Sequence, residues 1–142
     1  MNTSERQLDE CITAANHFLA IAQTSSKTTD SLLAGNIYPC MVNAAFACEL
    51  LLKAIQATKP GIQTFPKGHD LKKLFNDLEA HDRDKIDLLY KQKGVTPLEE
   101  LLKESASAFV EWRYAYERQA SGHPYDLINF GEVLNQYIQS IR

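Results

Sequence analysis

The chain has 142 residues, 44% hydrophobic and 23% charged, the size of one domain with enough apolar side chains to build a core without disulfide or metal staples. Its 15 Lys and Arg against 18 Asp and Glu give a formal net charge of −3, not the basic excess with which a duplex-DNA binder neutralises phosphates. The polar start MNTSERQLDE lacks the layout of a secretory signal, and the longest apolar run, Ala44–Leu52, is interrupted by Glu49, so a cytoplasmic protein with no membrane span is expected.

Helix one is predicted to follow a capping box, with Ser4 as cap and Gln7 reaching back. Leu8, Ile12, Ala15, Leu19 and Ala22 then recur at helical spacing until TSSKTTD ends the helix. Helix two, from about Tyr38 to Ala57, is apolar on nearly every side, the exceptions being Asn43, Glu49 and Lys53. That pattern belongs to the central helix of a bundle or to one shared with a second subunit. Left open on a monomer, such a surface would exceed what monomers expose, so a symmetric homodimer is expected. Lys59-Pro60-Gly61 closes helix two.

In the third helix, GHDLKKLFNDLEA, one stripe carries Leu71, Leu74, Phe75 and Leu78, and His69-Asp70 reads as a cap with a dipole-favoured acid. A short fourth helix at about 82–91 turns Ile86, Leu89 and Tyr90 inward and breaks at Gly94. Helix five opens with a second capping box, Thr96-Pro97-Leu98-Glu99, and is expected to reach Ala120 before Ser121-Gly122 ends it. Pro124 biases His123 away from helix. A last helix, Asp126 to about Arg142, carries Leu127, Phe130, Leu134, Tyr137, Ile138 and Ile141. No strand-like alternation or repeat interrupts the series. The expectation is therefore an all-α, up-and-down bundle of four longer helices plus one or two short ones, a single domain over residues 1–142.

Three cysteines, Cys11, Cys40 and Cys48, form no CxxC pair and read as small buried hydrophobes. The four histidines have neither HExxH nor zinc-finger spacing, and no glycine-rich phosphate loop is present. Neither metal nor cofactor is therefore expected.

Some charges fall on apolar faces. At about 100° per residue, helix five places Leu98, Leu102, Ser105, Phe109, Trp112 and Tyr116 on one stripe. Arg113 borders that stripe, Glu117 sits beside it at i+4, and Arg118 faces the opposite side. Glu49 and Lys53 share a side with Val42 and Phe46. Charges in such surroundings are costly unless paired. A network of Glu49, Lys53, Arg113 and Glu117 is expected, either as a structural cluster or as a polar binding site or subunit contact.

NAAFACELLLKAI, followed by KGHDLKKLFNDL and then AFVEWRYAYE, resembles the HEPN superfamily of small helical bundles over roughly Tyr38 to Glu117. The resemblance implies a homodimer. It implies either a metal-independent RNA endonuclease of a toxin–antitoxin or antiviral defence system, or a non-catalytic dimerisation and interaction module. The module would bind a partner protein, such as a cognate antitoxin, or a nucleotide. The ribonuclease motif of that superfamily is an arginine, a polar residue and, after four to six intervening positions, a histidine. Arg118, Gln119 and His123 fit it, with Gln119 where active members more often carry asparagine, aspartate or histidine. The likeness is strongest at Trp112-Arg113-Tyr114, which leaves Arg113 and Arg118 both open as the functional arginine.

The motif has coherent chemistry. His123 would take the proton of a ribose 2′-hydroxyl as general base. The Arg118 guanidinium would hold the scissile phosphate. Needing the 2′-hydroxyl restricts the substrate to RNA. The competing reading of His123 is a loop histidine favoured by a helix C-terminal dipole.

Overall fold

A computed structural model describes residues 3–27, 37–62, 64–106 and 123–142. Their helices are α1 (Thr3–Ser26), α2 (Ile37–Ala57), α3 (Leu71–Asn76), α4 (Ala80–Lys91), α5 (Leu98–Ser105) and α6 (Pro124–Ser140), and no strand occurs among the described residues. The chain is an all-helical bundle.

Its axis is α2. Small side chains at Cys40, Ala44, Ala45, Ala47, Cys48 and Ala54 let neighbouring helices approach from several sides, while Met41, Leu51, Leu52 and Ile55 fill the space between them. Along its length α2 packs against α1, and α6 covers both. From α1 come Leu8, Ile12, Ala15, Leu19 and Ala22, all buried at the predicted spacing. From α6 come Leu127, Phe130, Val133, Leu134, Tyr137 and Ile138. Gly131 permits the α1–α6 approach, for a Cβ there would stand 2.9 Å from Leu19 Cδ1.

Much of the apolar surface of α2 is thus covered within one chain by α1 and α6, while Tyr38 stays exposed and Val42, Phe46 and Leu50 are half-buried. By size and apolarity α2 could cross a bilayer, but 61% of its most apolar window is buried inside the fold, as a bundle's central helix requires.

The short helices close the other side. Phe75 of α3 and Tyr90 of α4 both pack edge-on to Phe130, with ring centroids 6.2 and 6.1 Å away. Beyond α4 the chain turns at Gly94, against which the Tyr90 ring lies so closely that a Cβ would fall 2.1 Å from Tyr90 Cζ. The Tyr90 hydroxyl then donates to the Thr96 carbonyl at 2.6 Å. Asp82 of α4, fully buried, accepts from the Tyr137 hydroxyl and pairs with Lys59 Nζ at 2.8 Å, tying α4 to α6 and to the end of α2.

Helix ends differ from expectation where a cap was assumed. Because α1 already includes Thr3, Ser4 sits in helical backbone and cannot act as the cap. Pro97 takes the N-cap position of α5 without a side-chain bond, so Thr96 does not cap it. Starting at Pro124, α6 ends at Ser140, which leaves Ile141 beyond the helix and exposed. The expected run of helix five beyond Ala106 lies outside the described residues.

Phe130, with two aromatic neighbours and no exposed surface, is the most demanding core position. Phe130→Ala is expected to cost about 3–5 kcal/mol in urea unfolding, from lost transfer energy plus the cavity left behind. A loss below about 1 kcal/mol would show that the three rings do not form the packed centre described.

Candidate functional site

Glu49 lies one turn before Lys53 on α2 and is 1% exposed. Its Oε2 accepts from Lys53 Nζ at 3.2 Å, and its Oε1 stands 2.8 Å from His69 Nδ1. The chain delivers His69 by a turn at Gly68, whose φ of +102° favours glycine. Asp70 follows as the cap of α3, accepting the Lys73 N–H at 3.1 Å. The first α3 residue, Leu71, donates its N–H to the Ala106 carbonyl at 2.8 Å, just past α5. So Asp70 is the cap that the sequence predicted, while His69, itself exposed, sets its Nδ1 against Glu49. Glu49 and Lys53 do meet; their expected companions Arg113 and Glu117 lie outside the described residues.

Beside this cluster an open groove of about 460 Å³ is lined by Gln7, Glu10, Cys11, Leu50, Lys53 and Phe65. Burial pushes the Cys11 thiol up to about 11 and the fully buried Cys48 thiol higher still. Both donate to backbone carbonyls, of Leu50 and Leu127 respectively. Neither is a ready thiolate, in line with their reading as small hydrophobes.

The second cluster sits where α5 and α6 meet. His123 has φ −122° and ψ 82°, outside the helical region as the following proline requires. Its ring makes no capping bond to α6. Instead Nε2 stands 2.6 Å from Glu104 Oε2, with the two side chains 41% and 38% exposed. A carboxylate at that distance takes a donated hydrogen, so Nε2 carries one and Nδ1 remains as the atom able to accept a proton. An imidazole oriented by an acid, at a surface open to solvent, can serve as a general base. Arg118, the other half of the predicted pair, lies outside the described residues.

Just inside α6, Asp126 is buried and accepts the backbone N–H groups of Val95 and Thr96 at 3.0 and 2.9 Å. Burial by itself would raise this carboxyl. The bonds from Val95 and Thr96, with a side-chain contribution from Asn129, outweigh it and hold the group below the usual carboxylate value. Among the described residues no three His, Cys, Asp or Glu side chains gather to hold a metal ion.

Sequence reasoning missed Glu104, Asp126 and the contact of His69 with Glu49. Glu104 belongs to the run LEELLKES and meets His123 only through the tertiary fold, which no periodicity encodes.

The family model of the HEPN domain matches residues 8–135 of the chain. No curated protein and no solved structure matches it.

Two outcomes follow from the buried carboxylates. Glu49→Ala removes the counter-charge of Lys53 and the anchor of His69. It should cost about 2 kcal/mol or more in chemical unfolding, against a near-zero change for the exposed Glu99→Ala; equal effects would dissolve the network. For Asp126 the folded-state value is depressed, so its contribution is full above the unfolded value of 3.8 and lost as pH falls through the folded one. The gap in melting temperature between wild type and Asp126→Asn should therefore be constant near neutrality and close in strong acid. A gap that widens on acidification would reverse the assignment.

Proposed function

The chain belongs to the HEPN domain family, and on that premise we propose that it is a metal-independent RNA endonuclease acting as a cytoplasmic homodimer. The observation that carries the reading is the His123–Glu104 contact of 2.6 Å: the histidine of the Arg118…His123 spacing is a half-exposed imidazole held by an acid.

His123 Nδ1 takes the proton from a ribose 2′-hydroxyl, and the freed oxygen attacks the adjacent phosphorus. The bond from phosphorus to the 5′ oxygen breaks, leaving a 2′,3′-cyclic phosphate on one product and, once that oxygen is protonated, a 5′-hydroxyl on the other. Arg118, always charged and fork-shaped, stabilises the phosphorane-like transition state. Glu104 is a positioning residue, stabilising the imidazolium as it forms. The setting is a toxin–antitoxin or antiviral defence system, with a cognate antitoxin as protein partner.

A second reading, the non-catalytic interaction module, is favoured by Gln119, which stands where active members of the family more often carry asparagine, aspartate or histidine. In that case Glu49, Lys53 and His69 serve as a packing tie. Both Glu49 oxygens are engaged within the chain, which argues against a nucleotide occupying that cluster.

Purified protein should cut single-stranded RNA in the presence of chelator and leave 2′,3′-cyclic phosphate ends, and it should sediment as a dimer at micromolar concentration. His123→Ala should lower the rate by about 10²–10⁴-fold, the usual worth of a general base, with the helical spectrum unchanged. Arg118→Lys should be severely impaired, since a point charge does not reproduce the bidentate fork. Cleavage undiminished in His123→Ala would leave the interaction module as the reading.

A further inference from the structure

His123 opens α6 and Glu104 lies near the end of α5, so their contact depends on how the two helices are set against each other. That contact cannot itself fix the setting, because at two-fifths exposure water competes with it and it holds two helices together only weakly. Stiffer contacts flank it.

One turn into α6, the buried Asp126 carboxylate accepts the Val95 and Thr96 amides at 3.0 and 2.9 Å, immediately before Pro97 and the start of α5. Further along α6 two exposed contacts add less, Asn129 Nδ2 donating to the Lys93 carbonyl at 3.5 Å and Glu132 pairing with Lys93 Nζ at 3.0 Å. From α4, the Tyr90 hydroxyl holds the Thr96 carbonyl at 2.6 Å. At the far end of α5, the Ala106 carbonyl accepts the Leu71 N–H. Between these ties Leu98, Leu101, Leu102 and Ser105 are buried. A two-turn helix held at both ends and along one face cannot swing, so residue 104 is carried to one place.

We infer that Asp126 is a positioning residue for the His123–Glu104 pair: its carboxylate sets the start of α5 against the first turn of α6 and thereby presents Glu104 to His123. Of the contacts just described it is the one that matters most, because it joins α6 to the segment that enters α5 through a buried charge accepting two donors, the strong class of hydrogen bond. Calling the pair catalytic rests on the proposed nuclease; the placement of the pair does not. Asparagine at 126 keeps the shape but replaces one acceptor oxygen with an NH₂ donor facing a backbone N–H. Asp126→Asn therefore breaks at least one of the two bonds without leaving a cavity.

The test has two arms. In the first, the ring Cε1–H and Cδ2–H signals of His123 are followed by NMR in folded Asp126→Asn and Glu104→Gln, with Ile86→Val as a core variant of comparable stability loss. The first two should move the signals in the same direction, and the third should leave them in place. If Asp126→Asn does not fold, Asn129→Ala, which frees the Lys93 carbonyl and removes the Asn129 side-chain contribution to Asp126 but leaves both backbone bonds, should give a smaller shift of the same sign. His123 signals that stay put in whichever of these two variants is folded overturn the inference, whatever the activity. In the second arm, RNA cleavage by Asp126→Asn should show kcat lowered about tenfold, given that a misplacement of about 1 Å can cost about 10²-fold. KM should stay within about twofold, and the double variant with Glu104→Gln should be no slower than Glu104→Gln alone. Fully additive losses would overturn action through Glu104. Wild-type protein that cleaves no RNA sinks the nuclease, and the NMR arm alone then decides the positioning.

Discussion

A carboxylate with 1% exposure stands in the middle of the most apolar helix of the chain, and much of the remaining structure answers to it. A charge left alone there would cost several kcal/mol, so cations and donors must be brought to Glu49. Lys53 arrives with the helix itself, one turn on. His69 has to come from twenty residues away, and bringing it fixes the turn at Gly68 and the start of α3. With Leu71 so placed, its N–H meets the Ala106 carbonyl, and the end of α5 is located too.

The same logic recurs at two more buried acids. Asp82 on α4 gathers Lys59 from beyond α2 and Tyr137 from α6, and Asp126 on α6 gathers the amides of Val95 and Thr96. The phenol of Tyr137 is correspondingly pushed up, by burial first and then by the Asp82 carboxylate. Buried pairs of this kind roughly break even against apolar replacements. The energy that holds the bundle comes instead from the apolar faces of α1, α2 and α6. What the acids contribute is a choice among arrangements of those faces, because each is satisfied in one setting of its neighbours and orphaned in the others.

The charged contacts are therefore separated by depth. Glu49, Asp82 and Asp126 are buried and join segments, while Glu104 and His123 lie at the surface where α5 meets α6. A half-exposed side chain takes its placing from rigid neighbours underneath, and Asp126, within one turn of His123, is such a neighbour.

The helices were legible in the sequence because the period of 3.6 is a property of residues close in the chain. Leu8, Ile12, Ala15, Leu19 and Ala22 are all buried, as are Leu71, Leu74, Phe75 and Leu78. Asp70 caps α3, while α4 ends at Lys91 with Gln92 as its C-cap, ahead of the Gly94 expected to break it. Glu49 and Lys53 could be flagged as charges on an apolar face because that too is a local pattern. Only the tertiary structure decided what covers α2, since an apolar surface does not specify whether its partner is the same chain or another. It alone decided that His69 turns to Glu49, that Thr96 gives its amide to Asp126 instead of capping α5, and that Glu104 reaches His123. Those pairings depend on the angles at which helices cross and on where loops set them down, and these are fixed by packing among segments far apart in sequence.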